Sequence, residues 1–321
     1  MVQAVRDALE PADSTLLVAC SGGADSLALA FAARHVAERA GLPYGAVVVD
    51  HQLQARSAEV AAQAAATLAG LGFGDVRVVR AEVDLTAGLG VEGAARAARY
   101  RALDAEQRAP DRPSTPDGPP AAGSTVLLGH TRDDQAETVL LGLLRGSGTR
   151  SLAGMARRVG PYLRPLLDVP RATTAQVCVE LGLTPEDDPH NADPAYARSR
   201  VRHRVLPRLE AELGPGVTAA LARTAFLARD DADLLDAQAA AADPGTEALE
   251  CAEVAGLPPA VRRRVLLRWL GRCGAGDLAL DHVLAVDRLL GEWHGQRGVA
   301  VPGGAVARRE GRLLWQAVAR G

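Results

Sequence analysis

The chain alternates short apolar runs with longer amphipathic segments, and this alternation constrains its fold more than any other feature. Each of four runs of strand length is followed by a segment with helical periodicity. Strands separated by helices form βαβ units, whose parallel sheet is covered by helices on both faces. The predicted strands are 15–20, 44–51, 76–83 and 125–130, and the predicted helices are 26–40, 57–71, 91–108 and 133–146. We therefore predict a doubly wound, mostly parallel α/β fold for this part.

The pattern changes after residue 150. Gly214, Pro215 and Gly216 follow the last segment of this middle region and predict a domain boundary. We expect an α/β domain over 1–213 and a mainly helical domain over 214–321. Helices are predicted at 171–183, 198–213 (interrupted by Pro207), 217–241, 259–272 and 278–291, before a strand-like tail with a Gly-Gly turn. The Pro-rich residues 109–124 predict a mobile surface loop with no core of its own.

Composition excludes several classes of protein. All 36 basic residues are arginine, so neither a Walker-type phosphate loop nor a Schiff-base lysine is available. The four cysteines form no C-x-x-C pair, which favours a reducing compartment. The sequence shows no long apolar run and no signal-peptide pattern, so we expect a cytoplasmic protein with no membrane partner.

The stretch "CSGGADS" (20–26) follows the first predicted strand, where ligands bind in open α/β sheets. Gly22 and Gly23 let the backbone curl so that amide N–H groups point inward, while Ser21 and Ser26 add hydroxyls. The next helix directs the positive end of its dipole at the same place. An anion such as pyrophosphate suits this cradle, and Asp25 could hold Mg²⁺ against phosphates.

A second group of polar residues lies in "GHTRDDQAET" (129–138). His130 ends the fourth predicted strand, and Asp134 and Glu137 lie three residues apart on one face of the following helix. Acidic residues at a helix N-terminus can simply cap it. We expect Asp134 and Glu137 to lie at the same sheet edge as the glycine loop, where their carboxylates would suit Mg²⁺ ligation or amine binding.

"SGGADS" resembles the pyrophosphate loop of the PP-loop ATP pyrophosphatase superfamily. The order of several further blocks is similar to that in tRNA(Ile)-lysidine synthetases, over about residues 14–213. These blocks are "VVDHQLQ" (48–54), "VEGAARAARY" (91–100), "GHTRDDQAET" (129–138), "LRGSG" (144–148), "YLRPLLD" (162–168) and "NADPAYARSRVRHRVLPRL" (191–209). Gln54 departs from the arginine expected in the first of them.

The resemblance implies a reaction. The wobble cytidine of tRNA(Ile) with anticodon CAU would be adenylated by ATP with release of pyrophosphate. Free L-lysine would then displace AMP to give lysidine, which changes the codon read from AUG to AUA. ATP and Mg²⁺ are the implied cofactors, and the C-terminal part is the implied tRNA-binding domain. A homodimer is one possible oligomeric state.

The resemblance also implies roles for particular residues. Asp25 and Glu137 are the metal candidates, and Asp134 would receive the lysine ammonium and assist its deprotonation. The implied ATP-binding residues are Ser21, Gly22, Gly23, Ala24, Asp25, Ser26 and Arg96, the implied catalytic residues are Asp25, His130, Asp134, Glu137 and Arg198, and the implied tRNA contacts are Arg202, Arg204 and Arg208.

Some alternatives stay open. Residues 145–208 hold 11 arginines against six acidic residues, which fits either a surface for a phosphate backbone or a solvated, self-paired face. Arg198 and Arg202 could instead pair with the acids at 186–188. A tRNA-thiolating PP-loop enzyme and a nucleotide-binding sensor without catalysis are the rival functions.

Overall fold

The structure is a computed structural model that describes residues 1–53, 56–84, 86, 88, 90–109, 124–146, 148–186 and 193–317, without the side chain of Glu92. It divides into two compact units. The first comprises Met1–Leu141 and Gly154–Ala225, and the second comprises Gly142–Ala153 and Phe226–Gly321. The predicted loop 109–124 lies outside the described residues except for its two ends, and so does Gln54.

The first unit is built on a six-stranded sheet with strand order β3-β2-β1-β4-β6-β5. All neighbours pair in parallel except the short edge strand β5. The strands are β1 (Leu16–Ala19), β2 (Tyr44–Asp50), β3 (Val76–Arg80), β4 (Thr125–Leu128), β5 (Arg158–Val159) and β6 (Tyr162–Leu163). The predicted doubly wound, mostly parallel fold is confirmed.

Helices connect these strands as the periodicity predicts. The helices of this part are α1 (Val2–Ala8), α2 (Ala24–Ala40), α3 (Ser57–Gly70), α4 (Gly90–Gln107), α5 (Arg132–Leu144), α6 (Thr149–Leu152), α7 (Arg171–Glu180), α8 (Ala197–Arg200) and α9 (Leu206–Leu213). The sequence analysis did not predict α1, α6, β5 or β6, since each is too short for a periodic pattern.

The core of the first unit follows from the apolar runs. Leu16, Val18 and Leu27 are fully or almost fully buried, and the alanines of α2 let that helix lie close to the sheet. Burial on both faces explains why β1, β2 and β4 are continuous apolar runs rather than alternating ones.

The helix around Pro207 is continuous rather than broken. α8 leads into a π-helical turn over Val201–Val205, which leads into α9. Proline lacks the N–H that would bond to the carbonyl four residues earlier, and the wider turn accommodates that loss. The turn keeps Arg198 and Arg202 on one helical path.

The second unit combines helices with a small antiparallel sheet of order β7-β10-β9-β8. Trp269, Leu266 and Leu313 lie in its core and are fully buried. Its remaining elements are α10 (Val217–Ala242, which begins in the first unit), β7 (Leu249–Glu250), α11 (Cys251–Ala255), α12 (Pro259–Arg272), α13 (Leu280–Gly291), β8 (Val299–Val301), β9 (Gly304–Arg309) and β10 (Arg312–Ala317). The predicted strand-like tail thus supplies three strands of a sheet.

In the part of the chain that the structure describes, none of the helices combines the length and apolar character needed to span a bilayer.

Strands β1 and β4 are neighbours, yet their following helices come from distant parts of the chain. The carboxyl ends of adjacent strands in such a sheet mark the place where ligands bind. Gly129, just after β4, lies against the first turn of α2: a Cβ there would be 3.1 Å from the backbone of Asp25 and Ser26. A Cβ at this distance would require the backbone of α2 to move by a few tenths of an ångström.

We therefore expect Gly129→Ala to destabilise the first unit by about 1–3 kcal/mol, because backbone atoms must move to admit the methyl group. Urea unfolding measures the change. The matched control is Gly70→Ala at the end of α3, where an added Cβ meets nothing within 4 Å. Equal stabilities for the two variants would contradict the close approach.

Candidate active site

The glycine loop between β1 and α2 forms the first half of the site. Gly22 has a φ of 85°, in the left-handed region that favours glycine, and its carbonyl accepts a hydrogen bond from the Glu186 N–H at 3.0 Å. Gly23 is the N-cap of α2 and no side chain caps the helix. The free N–H groups of the first turn can therefore bind an anion.

Ser26 fixes the shape of this loop. Its hydroxyl donates to the Gly23 carbonyl at 2.9 Å and accepts from the Ser21 N–H at 3.2 Å. Cys20 lies behind the loop, with its Sγ atom 3.4 Å from the same hydroxyl, and burial raises the pKa of its thiol. The structure thus supports a packing role for Cys20, while Ser21 and Ser26 shape the cradle.

Asp25 lies in the first turn of α2 and faces α7. Its carboxylate accepts hydrogen bonds from the Thr174 hydroxyl and from Nε of Arg171, the latter at 3.3 Å. Burial raises the pKa of Asp25, against the opposing effects of Thr174 and Arg171.

The second half of the site begins at the N-terminus of α5. Oδ2 of Asp134 accepts from the N–H of Thr131 at 2.8 Å and from its hydroxyl at 3.0 Å, so this oxygen caps the helix. Burial alone would raise the pKa of Asp134, but Arg171, the Thr131 N–H and Arg202 outweigh it and lower the pKa. The carboxylate is therefore ionised at neutral pH.

Arg171, the first residue of α7, joins the two halves. Nη2 lies 2.7 Å from Oδ1 of Asp134, and Nη1 lies 3.1 Å from Oε1 of Glu137. With the Asp25 contact, one guanidinium bridges three carboxylates, while the Arg171 N–H donates to Asp133 at 2.8 Å. These acids raise the pKa of Arg171 further above its ordinary value despite its burial.

Glu137 is fully buried, and both of its oxygens accept from arginines. Arg202 donates to Oε1 at 2.7 Å and to Oε2 at 3.0 Å, and Arg198 donates to Oε2 at 3.2 Å. Arg198 also donates to the Thr138 hydroxyl at 2.9 Å. Buried carboxylates need such partners, since an unpaired buried charge is costly.

The structure separates the arginines predicted to contact tRNA. We define the carboxylate cluster as Asp25, Asp134 and Glu137 with the arginines that bind them, Arg171, Arg198 and Arg202. Arg202 donates to Asp134 at 2.8 Å. Arg204 and Arg208 are exposed, and Arg208 forms an i,i+4 ion pair with Glu212. The sequence left open a pairing of Arg198 and Arg202 with the acids at 186–188. In the structure Arg198 pairs with Glu137, and Arg202 pairs with Asp134 and Glu137. Residues 187 and 188 lie outside the described part.

Sequence analysis missed Arg171 and Thr174. Both lie at the start of α7, far in sequence from the glycine loop, and no motif distinguishes them from an ordinary helix start. In the structure α7 follows β6, at the same sheet edge as the loops after β1 and β4, but β6 is too short to be predicted, so the sequence carried no signal for these two residues.

Magnesium would find oxygen donors in this cluster. Among the described residues there is no group of three or more His, Cys, Asp or Glu side chains arranged to hold a metal ion alone. Mg²⁺ commonly uses one or two carboxylates together with substrate phosphates, and Asp25 beside the glycine loop fits that pattern. Glu137 fits less well, because its oxygens are already bound by arginines.

A glycine loop at the switch point of a parallel sheet is typical of several nucleotide-binding folds. The PP-loop domain family matches residues 2–209, which assigns this part of the chain to the PP-loop class. The TilS substrate binding domain matches residues 249–314. The chain belongs to the tRNA(Ile)-lysidine synthase family.

Similarity to curated relatives shows that the chain belongs to this family. The tRNA(Ile)-lysidine synthase of Thermobifida fusca (strain YX) is 55% identical over 320 residues, covering 97% of this chain and 95% of the relative. The enzyme of the same name from Streptomyces coelicolor is 50% identical, covering 95% of this chain and 85% of the relative. These names support lysidine synthesis over the thiolation and sensor alternatives.

Solved structures share the fold, and one of them is a tRNA-modifying enzyme. The U34-tRNA thiolase NcsA from Methanococcus maripaludis superposes with a TM-score of 0.54 at 17% identity, covering 71% of this chain and 78% of that protein. At this identity the likeness concerns the fold alone.

His130 lies just after β4, beside this cluster. Burial lowers its pKa from 6.5 to about 3, and nearby Arg99, Arg164 and Arg198 add to the effect while Asp134 opposes it. The imidazole is therefore neutral near pH 7 and cannot be a cationic acid there. The unfolded chain binds this proton below pH 6.5 and the folded chain does not, so the folded state loses stability as the pH falls through this window.

We expect His130→Gln to remove this loss. Between pH 7 and pH 5 the wild type should lose about 2 kcal/mol more folding stability than the variant. Urea unfolding at both pH values measures the difference. Parallel stability curves for the two proteins would show that His130 titrates normally.

Proposed function

We propose that this chain joins L-lysine to the wobble cytidine of tRNA(Ile) with anticodon CAU, using ATP. One observation carries the proposal: the carboxylate next to the glycine loop, Asp25, lies in one cluster with Asp134 and Glu137, bridged by Arg171. The reaction needs an ATP phosphate site and an amine site side by side, and the cluster joins two such sites.

The glycine loop supplies the ATP half of the site. Residues 21–26, with Ala24 opening the helix, offer backbone N–H groups and hydroxyls to the phosphates. We propose that Mg²⁺ binds at Asp25 together with these phosphates, and that Glu137 takes part only after its arginines shift. The ion would supply charge neutralisation at the leaving pyrophosphate. Arg96, exposed on α4, is the proposed further contact for the nucleotide.

Asp134 and Glu137 supply the amine half. A guanidinium bound between these carboxylates shows that their arrangement suits a cation with several N–H donors. The ammonium group of lysine offers the same chemistry, so we propose that it takes the place of Arg171 or Arg202 at Asp134. Asp134 would then accept a proton from the ammonium, because only the neutral amine is a nucleophile.

The two halves define a sequence of bond changes. The O2 atom of the cytosine attacks the α-phosphorus of ATP, and the bond to pyrophosphate breaks. The lysine ε-nitrogen then attacks C2 of the adenylated base and the C2–O bond breaks with AMP leaving. Two of the three ammonium protons are lost, one to Asp134 before the attack and one to solvent after it. Arg198 is placed to neutralise charge beside Glu137 during these steps.

Binding of the tRNA body is proposed for the chain after residue 213 and for Arg204 and Arg208. The match of residues 249–314 to a substrate binding domain supports this assignment. Arg202 is a weaker candidate for a tRNA contact than these two, since its guanidinium is bound within the cluster. A homodimer remains a prediction that analytical ultracentrifugation tests.

The proposal is tested by incorporation of labelled L-lysine into a tRNA(Ile) transcript with anticodon CAU. Asp134→Asn should raise the KM for lysine roughly tenfold or more, since it removes a charge-assisted hydrogen bond to the ammonium, and should leave the KM for ATP nearly unchanged. Asp133→Asn is the matched control, because Asp133 accepts only the Arg171 N–H and asparagine can still accept it.

A transcript with uridine at the wobble position should receive no lysine. Incorporation into that transcript, or equal lysine KM values for the two aspartate variants, would contradict the proposed amine site.

A further inference from the structure

A second group of arginines lies near His130, and among the described side chains no ion pair joins these arginines to an acid. We define the arginine pocket as Arg99, Tyr100, His130 and Arg164, with Arg96, the proposed nucleotide contact, at its exposed edge. The Tyr100 hydroxyl accepts from Arg96 at 3.3 Å and from Arg164 at 3.2 Å. The Arg96 and Arg99 guanidinium carbons lie 4.9 Å and 5.8 Å from the centre of the Tyr100 ring.

Three buried polar atoms of this pocket lack partners, although Arg164 also donates from Nη1 to the Ala156 carbonyl at 2.9 Å. Nε of Arg99, Nε of Arg164 and Nδ1 of His130 are buried, and none has a hydrogen-bond partner among the residues that the structure describes. Within those same residues, no hydrogen bond or ion pair is found for the Arg99 guanidinium, whose carbon lies 5.8 Å from the centre of the Tyr100 ring. A buried polar atom left unpaired is costly, so three in one place require an explanation.

The charge of the pocket is unbalanced as well. Burial lowers the pKa of Arg99, and repulsion from Arg96, Arg198 and Arg164 lowers it further. Asp134 is the acid that acts on His130, and its oxygens are already bound by Thr131, Arg171 and Arg202. The arginines of the carboxylate cluster form ion pairs with acids, whereas no ion pair is found for Arg99 or Arg164 among the described residues.

The position of the pocket separates it from the glycine loop. His130 follows β4 and Arg164 follows β6, whereas the glycine loop follows β1. Adjacent strands are about 4.8 Å apart, so the pocket lies one to two strand spacings along the sheet edge. The phosphates of ATP have their own cradle at β1, which leaves this pocket for a second phosphate.

We infer that the arginine pocket binds a phosphate oxyanion, and that this is a phosphodiester of the RNA strand presented to the site. Guanidinium groups bind phosphate through two parallel N–H bonds, and a buried site strengthens them. The inference rests on the proposed function for its choice of RNA as the source. The pyrophosphate released from ATP carries the same chemistry and is the other source.

Arg99→Met tests the inference, with Arg39→Met as the matched control, since Arg39 is exposed in the last turn of α2. Binding to the tRNA(Ile) transcript should weaken tenfold or more in Arg99→Met only. The slope of log affinity against log salt should also fall by about one, because one phosphate contact is lost. Arg99→Lys should recover part of the affinity.

Stability separates this role from a structural one. Removal of the Arg99 guanidinium, which Arg96, Arg164 and Arg198 repel, should raise the thermal midpoint of the ligand-free Arg99→Met protein, while RNA binding falls. A lower midpoint together with unchanged RNA affinity would overturn the inference.

Pyrophosphate binding, measured by calorimetry, distinguishes the two sources. Weaker pyrophosphate binding with unchanged RNA binding would retain the phosphate site and assign it to the leaving group. If Arg99→Met matched Arg39→Met for both ligands, the pocket would not be a phosphate site. None of these measurements requires turnover, so a wild type that binds RNA but forms no lysidine would overturn the proposed function and leave this inference standing.

Discussion

The interaction on which the rest of the site depends is the contact of Arg171 with three carboxylates. Asp25, Asp134 and Glu137 come from two helices, and without cations between them they would repel one another in a partly buried place. Arg198 and Arg202 complete the neutralisation from a third direction. The same contacts that hold these helices together therefore hold the proposed ATP and amine sites side by side.

This arrangement has a consequence for catalysis. A site that is already neutralised by its own arginines must exchange guanidinium contacts for substrate contacts. Mg²⁺ at Asp25 or an ammonium at Asp134 would each replace a bond that Arg171 now makes, so the binding of one substrate is expected to affect the binding of the other. In the neighbouring arginine pocket, no ion pair to an acid is found among the described residues, which is why we infer that it binds an anion directly.

Local patterns predicted much of the fold and part of the site. Periodicity predicted β1 to β4 and their helices, because buried strands and amphipathic helices each have a pattern of their own. The glycine loop and Asp134 were found because their chemistry lies in short contiguous stretches. Arg171 was missed because its role depends on where α7 starts relative to α2 and α5, which no local pattern records.

Charge alone predicted partners less well. The family resemblance implied that Arg202 contacts tRNA, and the basic character of its segment left open either a phosphate surface or a self-paired face; the structure places Arg202 against Glu137. Arg198 and Arg202 lie four residues apart, so both reach Glu137 from one face of their helix. A sequence shows that a segment is basic, but the pairing of each arginine depends on tertiary contacts.

The central claim is that one site adenylates an RNA base and then joins an amine to that base with release of AMP. The most direct test is a single-turnover reaction with ATP labelled at the α-phosphorus, tRNA(Ile) with anticodon CAU, and no lysine. We predict that the label becomes covalently attached to the RNA and is released as AMP when lysine is added. Release of labelled AMP without RNA, or an RNA that never acquires the label, would contradict the account.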